Sequence, residues 1–233
     1  MGLRDRLWKL KWVIEWRRGN KAVEEERWDD AISHLDEAIL LNPRDAQCYN
    51  LRGHAFGGLG NLDEAIRDFK EARNLAPDDP SVCNNLGTCY LRMGQIDNAV
   101  KHYKMALKLD ARDVKARTNV GIAYSRKAAL ASAKTRDRYA RLSLAAFDEA
   151  IAEDPSYPVP YRERGLLYAM QGRYQDAMDD LTQAIELDPS YAQAYYDRGS
   201  AYRELGEEQE AIADFRVARD LDPDLVEPPK QLR

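Results

Sequence analysis

At 233 residues, 32% of them charged and with a formal net charge of −5, the chain is long enough to bury a sizeable core, and it holds no run of 18 uninterrupted apolar residues, so no membrane-crossing helix is expected. Ala, Leu, Arg, Glu and Asp dominate and β-branched residues are sparse, which favours helix over strand. Cys48, Cys83 and Cys89 are odd in number and lack CxxC spacing, which argues against a disulfide framework or a zinc site and for a reducing, cytoplasmic compartment.

The first element in chain order is a basic, Trp- and Leu-rich extension over residues 1–11 that runs into the first helix. Residues 1–21 hold seven Lys/Arg against Asp5 and Glu15, a net +5, which leaves −10 for residues 22–233. Leu3, Leu7, Leu10 and Ile14 recur at helical spacing, and so do Trp8, Trp12 and Trp16, so two apolar stripes point nearly opposite ways. One stripe can pack on the body of the protein, and the other needs a second covering. Trp8, Trp12 and Trp16 are therefore a candidate interface to a membrane surface, a partner protein or a second copy of the chain, with a simple end cap as the alternative. Lys9, Lys11 and Glu15 interrupt the segment and no small-residue cleavage site follows, so it does not read as a secretory signal.

From residue 12 onward the chain repeats itself. Gly19, Gly53, Gly87 and Gly121 stand 34 apart, and Gly165 and Gly199 resume that spacing after an interruption of ten residues. Ala31, Ala65, Ala99, Ala177 and Ala211 keep the same period, as do Ala38, Ala72, Ala106, Ala150, Ala184 and Ala218. Pro43, Pro77, Pro155, Pro189 and Pro223 close the units, with Ala111 in that place in the third. The units fall at 12–45, 46–79, 80–113, 114–157, 158–191 and 192–225, the fourth enlarged by ten residues, and a short tail follows over 226–233. In that tail Pro228 and Pro229 leave no room for a full capping helix.

Tyr49, Gly53, Phe56, Ala65, Phe69, Ala72 and Pro77, repeated as Tyr195, Gly199, Tyr202, Ala211, Phe215, Ala218 and Pro223, resemble the tetratricopeptide repeat family. The resemblance implies an all-α fold, a right-handed α-solenoid of six helix–turn–helix repeats. Physical reasoning points the same way. Gly and Ala allow two helices to cross closely, aromatics fill the space beside them, and each hairpin leaves an apolar face that only a neighbouring hairpin can cover. Arg52, Arg164 and Arg198 precede repeat glycines, and an Asp stands sixteen positions after each, at 68, 180 and 214, so Arg–Asp pairs between the two helices of those units are expected.

The resemblance also implies a concave groove, lined by the first helix of each unit, that holds a peptide or a partner helix. Its candidate residues are Asn50, Asn84, Asn85, Lys115, Asn119, Arg162 and Tyr196. Asn85 and Asn119 share one offset in adjacent units, and an amide that donates and accepts at once suits a peptide main chain. The carboxylate clamp of chaperone-binding relatives is not matched. Asn85 and Lys115 fit two of its five places, but Asn50, His54 and Asn119 stand where Lys, Asn and Arg are needed.

The enlargement of the fourth unit carries Arg126, Lys127, Lys134, Arg136, Arg138 and Arg141 against Asp137. It reads either as a basic contact patch for an acidic partner or as a solvated extension of two helices. Only Tyr124 and Tyr139 interleave these charges, so nucleic acid is disfavoured as a partner. His34, His54 and His102 are isolated, no P-loop, GxSxG or HExxH pattern occurs, and the repeats leave no room for a catalytic domain. The sequence therefore predicts a non-enzymatic, cytoplasmic scaffold or adaptor that binds a protein or peptide without metal or cofactor. A second copy of the chain at the solenoid ends is a further expected partner. The alternative is an assembly or tethering factor, peripheral at a membrane through its first helix.

Overall fold

The computed structural model describes residues 3–225, with side chains from Trp8 onward. The tail over 226–233 and the side chains of Leu3 and Leu7 lie outside the described residues, which form twelve α-helices and no strand. The chain divides into two compact units, Met1–Ala116 and Arg117–Arg233.

The first unit contains three hairpins: α1 (Leu3–Glu24) with α2 (Trp28–Leu41), α3 (Ala46–Gly58) with α4 (Leu62–Leu75), and α5 (Pro80–Arg92) with α6 (Ile96–Leu109). Helix α7 (Val114–Leu130) begins in its last residues. The second unit holds the rest of α7 with α8 (Ala133–Glu153), α9 (Pro158–Met170) with α10 (Tyr174–Leu187), and α11 (Ala192–Leu205) with α12 (Glu208–Leu221).

The repeat glycines explain how closely the two helices of a hairpin approach. A Cβ on Gly53 would stand 2.8 Å from the Phe69 ring and one on Gly87 would stand 2.5 Å from the Tyr103 ring, while Gly121 meets Phe147 in the same way. No larger residue fits without moving an aromatic that is itself buried. The alanines of both repeat series are buried along the same seams, so each hairpin is a close helix crossing, filled by one large ring in four of them and by Leu35 and Leu181 in the first and fifth.

Turns and ends follow from local chemistry. Asp45 accepts from the backbone N–H groups of Gln47 and Cys48, and Asp79 accepts from Ser81 N–H, which caps α3 and α5. The second helices stop at non-helical residues, such as Ala76 before Pro77 and Asp188 before Pro189, where the following proline disfavours the helical conformation. Asp110 leaves the helix in a similar conformation before Ala111, so α6 ends there without the proline. Inside the hairpins, Gly60, Gly94, Gly172 and Gly206 turn the chain with φ between 74° and 83°. Glu26 takes that role in the first hairpin at φ 55°, a conformation that costs a non-glycine residue about 1 kcal/mol.

Within each unit the first helices of successive hairpins touch: α1 with α3, α3 with α5, and α9 with α11. Among the described residues the second helices of neighbouring hairpins do not. Each unit therefore curves, with its first helices on the tighter side.

Candidate functional site

The helix glycine and the large side chain it faces hold the first and second helices in register, so an arginine before the glycine meets an aspartate sixteen positions on. Arg52 forks onto Asp68 through Nε and Nη2 at 2.7 Å each, and Arg164 grips Asp180 at the same distances. Arg198 holds Asp214 at 2.7 and 2.9 Å. The three carboxylates are buried, and a planar guanidinium can satisfy both oxygens of each. The expected interhelical pairs are thus formed. The sequence reading did not foresee that each arginine also reaches back sixteen positions: Arg52 to Asp36 and Arg164 to Asp148 at 2.5 Å, and Arg198 to the Thr182 hydroxyl at 3.1 Å. Each guanidinium therefore ties three helices, and the symmetric spacing on either side of the arginine was the available clue.

In the third unit the same slots hold Leu86 and His102, both buried. His102 stacks on Tyr90 with ring centroids 5.2 Å apart, and its Nδ1 has no hydrogen-bond partner. Burial, reinforced by Arg73, Lys101 and Lys70, pushes its pKa down to about 4, so the ring is neutral at ordinary pH. In the fourth unit Val120 and Ala146 occupy the slots, and Ser143 donates to the Gly121 carbonyl at 2.8 Å.

On the tighter side of the first unit, the Asn85 amide nitrogen donates to Asn50 Oδ1 and to His54 Nε2, both at 3.0 Å. Asn50 and Asn85 are half-buried, and His54 meets the Phe69 ring edge-on at 5.5 Å. Because Nε2 accepts, the imidazole is neutral. The Asn50 amide nitrogen and Asn85 Oδ1 have no protein hydrogen-bond partner among the described residues, which leaves one donor and one acceptor on the bonded amide pair. Asn84, half-buried in the same helix as Asn85, accepts at its carbonyl from Thr88, and Lys115 is exposed at the start of α7.

On the corresponding side of the second unit the chemistry is ionic. Arg162 donates through Nε to Asp197 at 2.7 Å and through Nη1 to Glu163 at 2.8 Å, and its guanidinium lies 5.7 Å from the centre of the Tyr191 ring. Burial holds both carboxyls above their usual range, opposed by Arg162. Arg162, read from sequence as a groove residue, is thus already engaged by two carboxylates. Tyr196 is half-buried against Phe215, and Asn119 is half-buried in α7.

At the N-terminus Trp12 and Trp16 pack on the cluster formed by Ala22, Ala31, Leu35, Ala38, Cys48 and Ala55, while Trp8 is 45% exposed. The opposite stripe keeps Leu10 and Ile14 exposed. Of the basic patch, Arg126, Lys134, Arg136, Arg138 and Arg141 are exposed. Lys127 is half-buried and lies 4.9 Å from the centre of the Tyr139 ring, which stacks on Tyr124. The three cysteines are free and buried, and desolvation raises their pKa values, Cys48 to about 12 and Cys89 to about 11, which makes them inert packing groups. No helix among the described residues is long and apolar enough to cross a membrane.

Stacked hairpins with polar first-helix faces define a class, the helical-repeat interaction scaffold. Tetratricopeptide repeat models match residues 17–80, 80–113 and 162–225, and the chain belongs to the tetratricopeptide repeat family. The matched stretches leave out the whole of the enlarged fourth unit. No curated protein matches the sequence. Among solved structures, a thermophilic tetratricopeptide protein of Thermus thermophilus is 24% identical with a TM-score of 0.71, over 77% of this chain and 92% of that one. PilW, a type IV pilus biogenesis factor, is 17% identical with a TM-score of 0.76, over 93% and 95% of the two chains. YrrB, described as having an unusual peptide-binding site, is 19% identical with a TM-score of 0.52, over 82% and 93%. These likenesses establish the fold, and the fold suggests a protein–protein interaction scaffold.

Proposed function

We propose that the chain is a non-enzymatic adaptor that holds a segment of a partner protein against the first-helix face of its repeats. The observation that carries this reading is the Asn50–Asn85–His54 cluster, whose half-buried amide pair keeps one donor and one acceptor over for a ligand. A peptide main chain offers the complementary acceptor and donor at every residue, whatever its sequence. The peptide-binding site described for YrrB, a structural neighbour, is in keeping with that use. In the second unit Tyr196 and the Arg162 cluster would select among segments by charge, and Asn84, Lys115 and Asn119 would add polar contacts.

The test is affinity capture with mass spectrometry on the wild-type chain beside an Asn50→Ala/Asn85→Ala variant. Loss of a defined partner set from the variant is expected, and retention of every partner would remove the face from the mechanism.

A second reading, a tether at a membrane surface through α1, is favoured by the exposure of Trp8, Leu10 and Ile14 on that helix. Liposome co-sedimentation of the full chain and of one lacking residues 1–11 separates the two readings. Only the tether predicts sedimentation that the truncation abolishes.

A further inference from the structure

The fourth hairpin is longer than its neighbours in a specific way. Helix α7 has 17 residues and α8 has 21, against 13 and 14 in the hairpin that follows. At about 1.5 Å per residue, α8 gains about 10 Å over α10. Within the second unit, the added turns of α8 pass the tip of the α9–α10 hairpin and leave a cleft of about 500 Å³. Ala140, Leu144, Leu167 and Met170 line its apolar part, and Met170 is 61% exposed. Arg136, Arg141 and Arg173 line it as well, with Asp137 as the one acidic group.

The charges around this cleft are one-sided. Arg52, Arg164 and Arg198 are each held by a buried carboxylate, whereas Lys134, Arg136, Arg138 and Arg141 form no ion pair among the described residues, in a protein of net charge −5. Arg173 is fixed in place by Asp176, which accepts from its Nε at 2.7 Å, and by stacking 4.1 Å from the Tyr168 ring. An apolar surface flanked by more arginines than carboxylates is complementary to a ligand that is both greasy and anionic. Phosphate backbones do not use the apolar part, and the two nearby tyrosines are stacked on each other. The open form of the cleft suits a stretch of polypeptide running along α8 better than a small molecule, which needs most of its surface enclosed.

We infer that this cleft docks an acidic segment of a partner protein, seating one large apolar side chain on Leu144, Leu167 and Met170 while flanking carboxylates meet Arg136, Arg141 and Arg173. The cleft shares no residue with those assigned above to the first-helix face, and the inference stands whether or not that face binds a peptide.

Fluorescence anisotropy with the full chain tests it. The probes are labelled peptides in which a single Phe, Leu or Met is flanked on both sides by Asp and Glu, beside versions with Ala at the apolar position or Lys at the acidic ones. The acidic apolar peptides are expected to bind, about tenfold more tightly than the Ala versions, as the transfer of one large side chain implies. Arg136→Glu/Arg141→Glu, which changes exposed side chains only, is expected to weaken binding at least about tenfold, and added salt to weaken it in the wild type. Asn50→Ala/Asn85→Ala is expected to leave it unchanged. Binding no better than that of the Lys peptides, or binding indifferent to the Arg136/Arg141 reversal, would overturn the inference. So would Ala peptides that bind as well as the others and are displaced by a single-stranded oligonucleotide, which would make the patch a nucleic-acid contact. Binding lost in the Asn variant but kept in the Arg variant would place the peptide on the first-helix face and sink only the cleft.

Discussion

Asn50 meets Asn85 in the first unit at the same pair of repeat positions where Arg162 meets Asp197 in the second, 35 residues apart in both cases. The fifth residue of one repeat touches the sixth of the next, and the backbone geometry is indifferent to what sits there. The amide pair is neutral, holds itself with one hydrogen bond, and leaves groups over for a ligand. The ionic pair places charges in a half-buried setting where each depends on the others, because a buried charge that loses its partner keeps its desolvation cost. One repeat architecture thus presents two kinds of inner surface, and the difference lies in two side chains per step.

The strongest way to break this comparison is to remove one partner from each pair. Arg162→Ala leaves Glu163 and Asp197 uncompensated and is expected to cost about 3 kcal/mol in a urea unfolding curve. The same measurement on Asn85→Ala is expected to show about 1 kcal/mol, the value of a neutral hydrogen bond. Equal losses would mean that the two contacts are energetically alike.

Acid should act in opposite directions on the two units. His102 in the first unit has its folded pKa lowered to about 4, so its contribution is intact above the unfolded value near 6.5 and is lost as pH falls toward 4, by up to about 3 kcal/mol. Glu163 and Asp197 in the second unit have raised pKa values, so their contribution is present at low pH and lost as pH rises through the folded values. Hydrogen exchange compared between about pH 7 and about pH 5 should show protection falling in α5 and α6, and the fall should vanish in His102→Leu. A fall that persisted in that variant would assign the acid sensitivity elsewhere.

The smallest expected effect sharpens the comparison at the turns. Glu26 holds in the first hairpin the left-handed conformation that Gly172 and Gly206 hold in the second unit, so Glu26→Gly should raise the melting midpoint, by about 0.5 to 1 kcal/mol of stability. An unchanged or lowered midpoint would show that the side chain contributes more than its backbone strain removes.

The fold was legible because glycine, alanine and aromatic residues recur at one period, and close helix packing tolerates little else at those places. The Arg–Asp forks could be read from their spacing of sixteen. Their second partners, Asp36 and Asp148, stand sixteen positions before each arginine in the preceding repeat, and a pairing within one hairpin does not imply them. The ionic cluster was missed for a different reason. Arg162 reads as a single groove position, and its contact with Asp197 of the next repeat depends on a step of 35 that a period of 34 conceals. The turn glycines, 60 and 94, then 172 and 206, also keep the period. The cleft beside α8 arises from a difference in length between two hairpins, which local sequence patterns do not express.

Ten residues enlarge the fourth hairpin, yet Gly121 still meets Phe147 as Gly87 meets Tyr103, because the additions lie beyond the crossing point. Hairpin tips are therefore permissive to splicing. Extra helical turns, or a short foreign sequence, can be grafted near Gly60 or Gly94 while the crossing beneath keeps its spacing, so new surface can be acquired one repeat at a time.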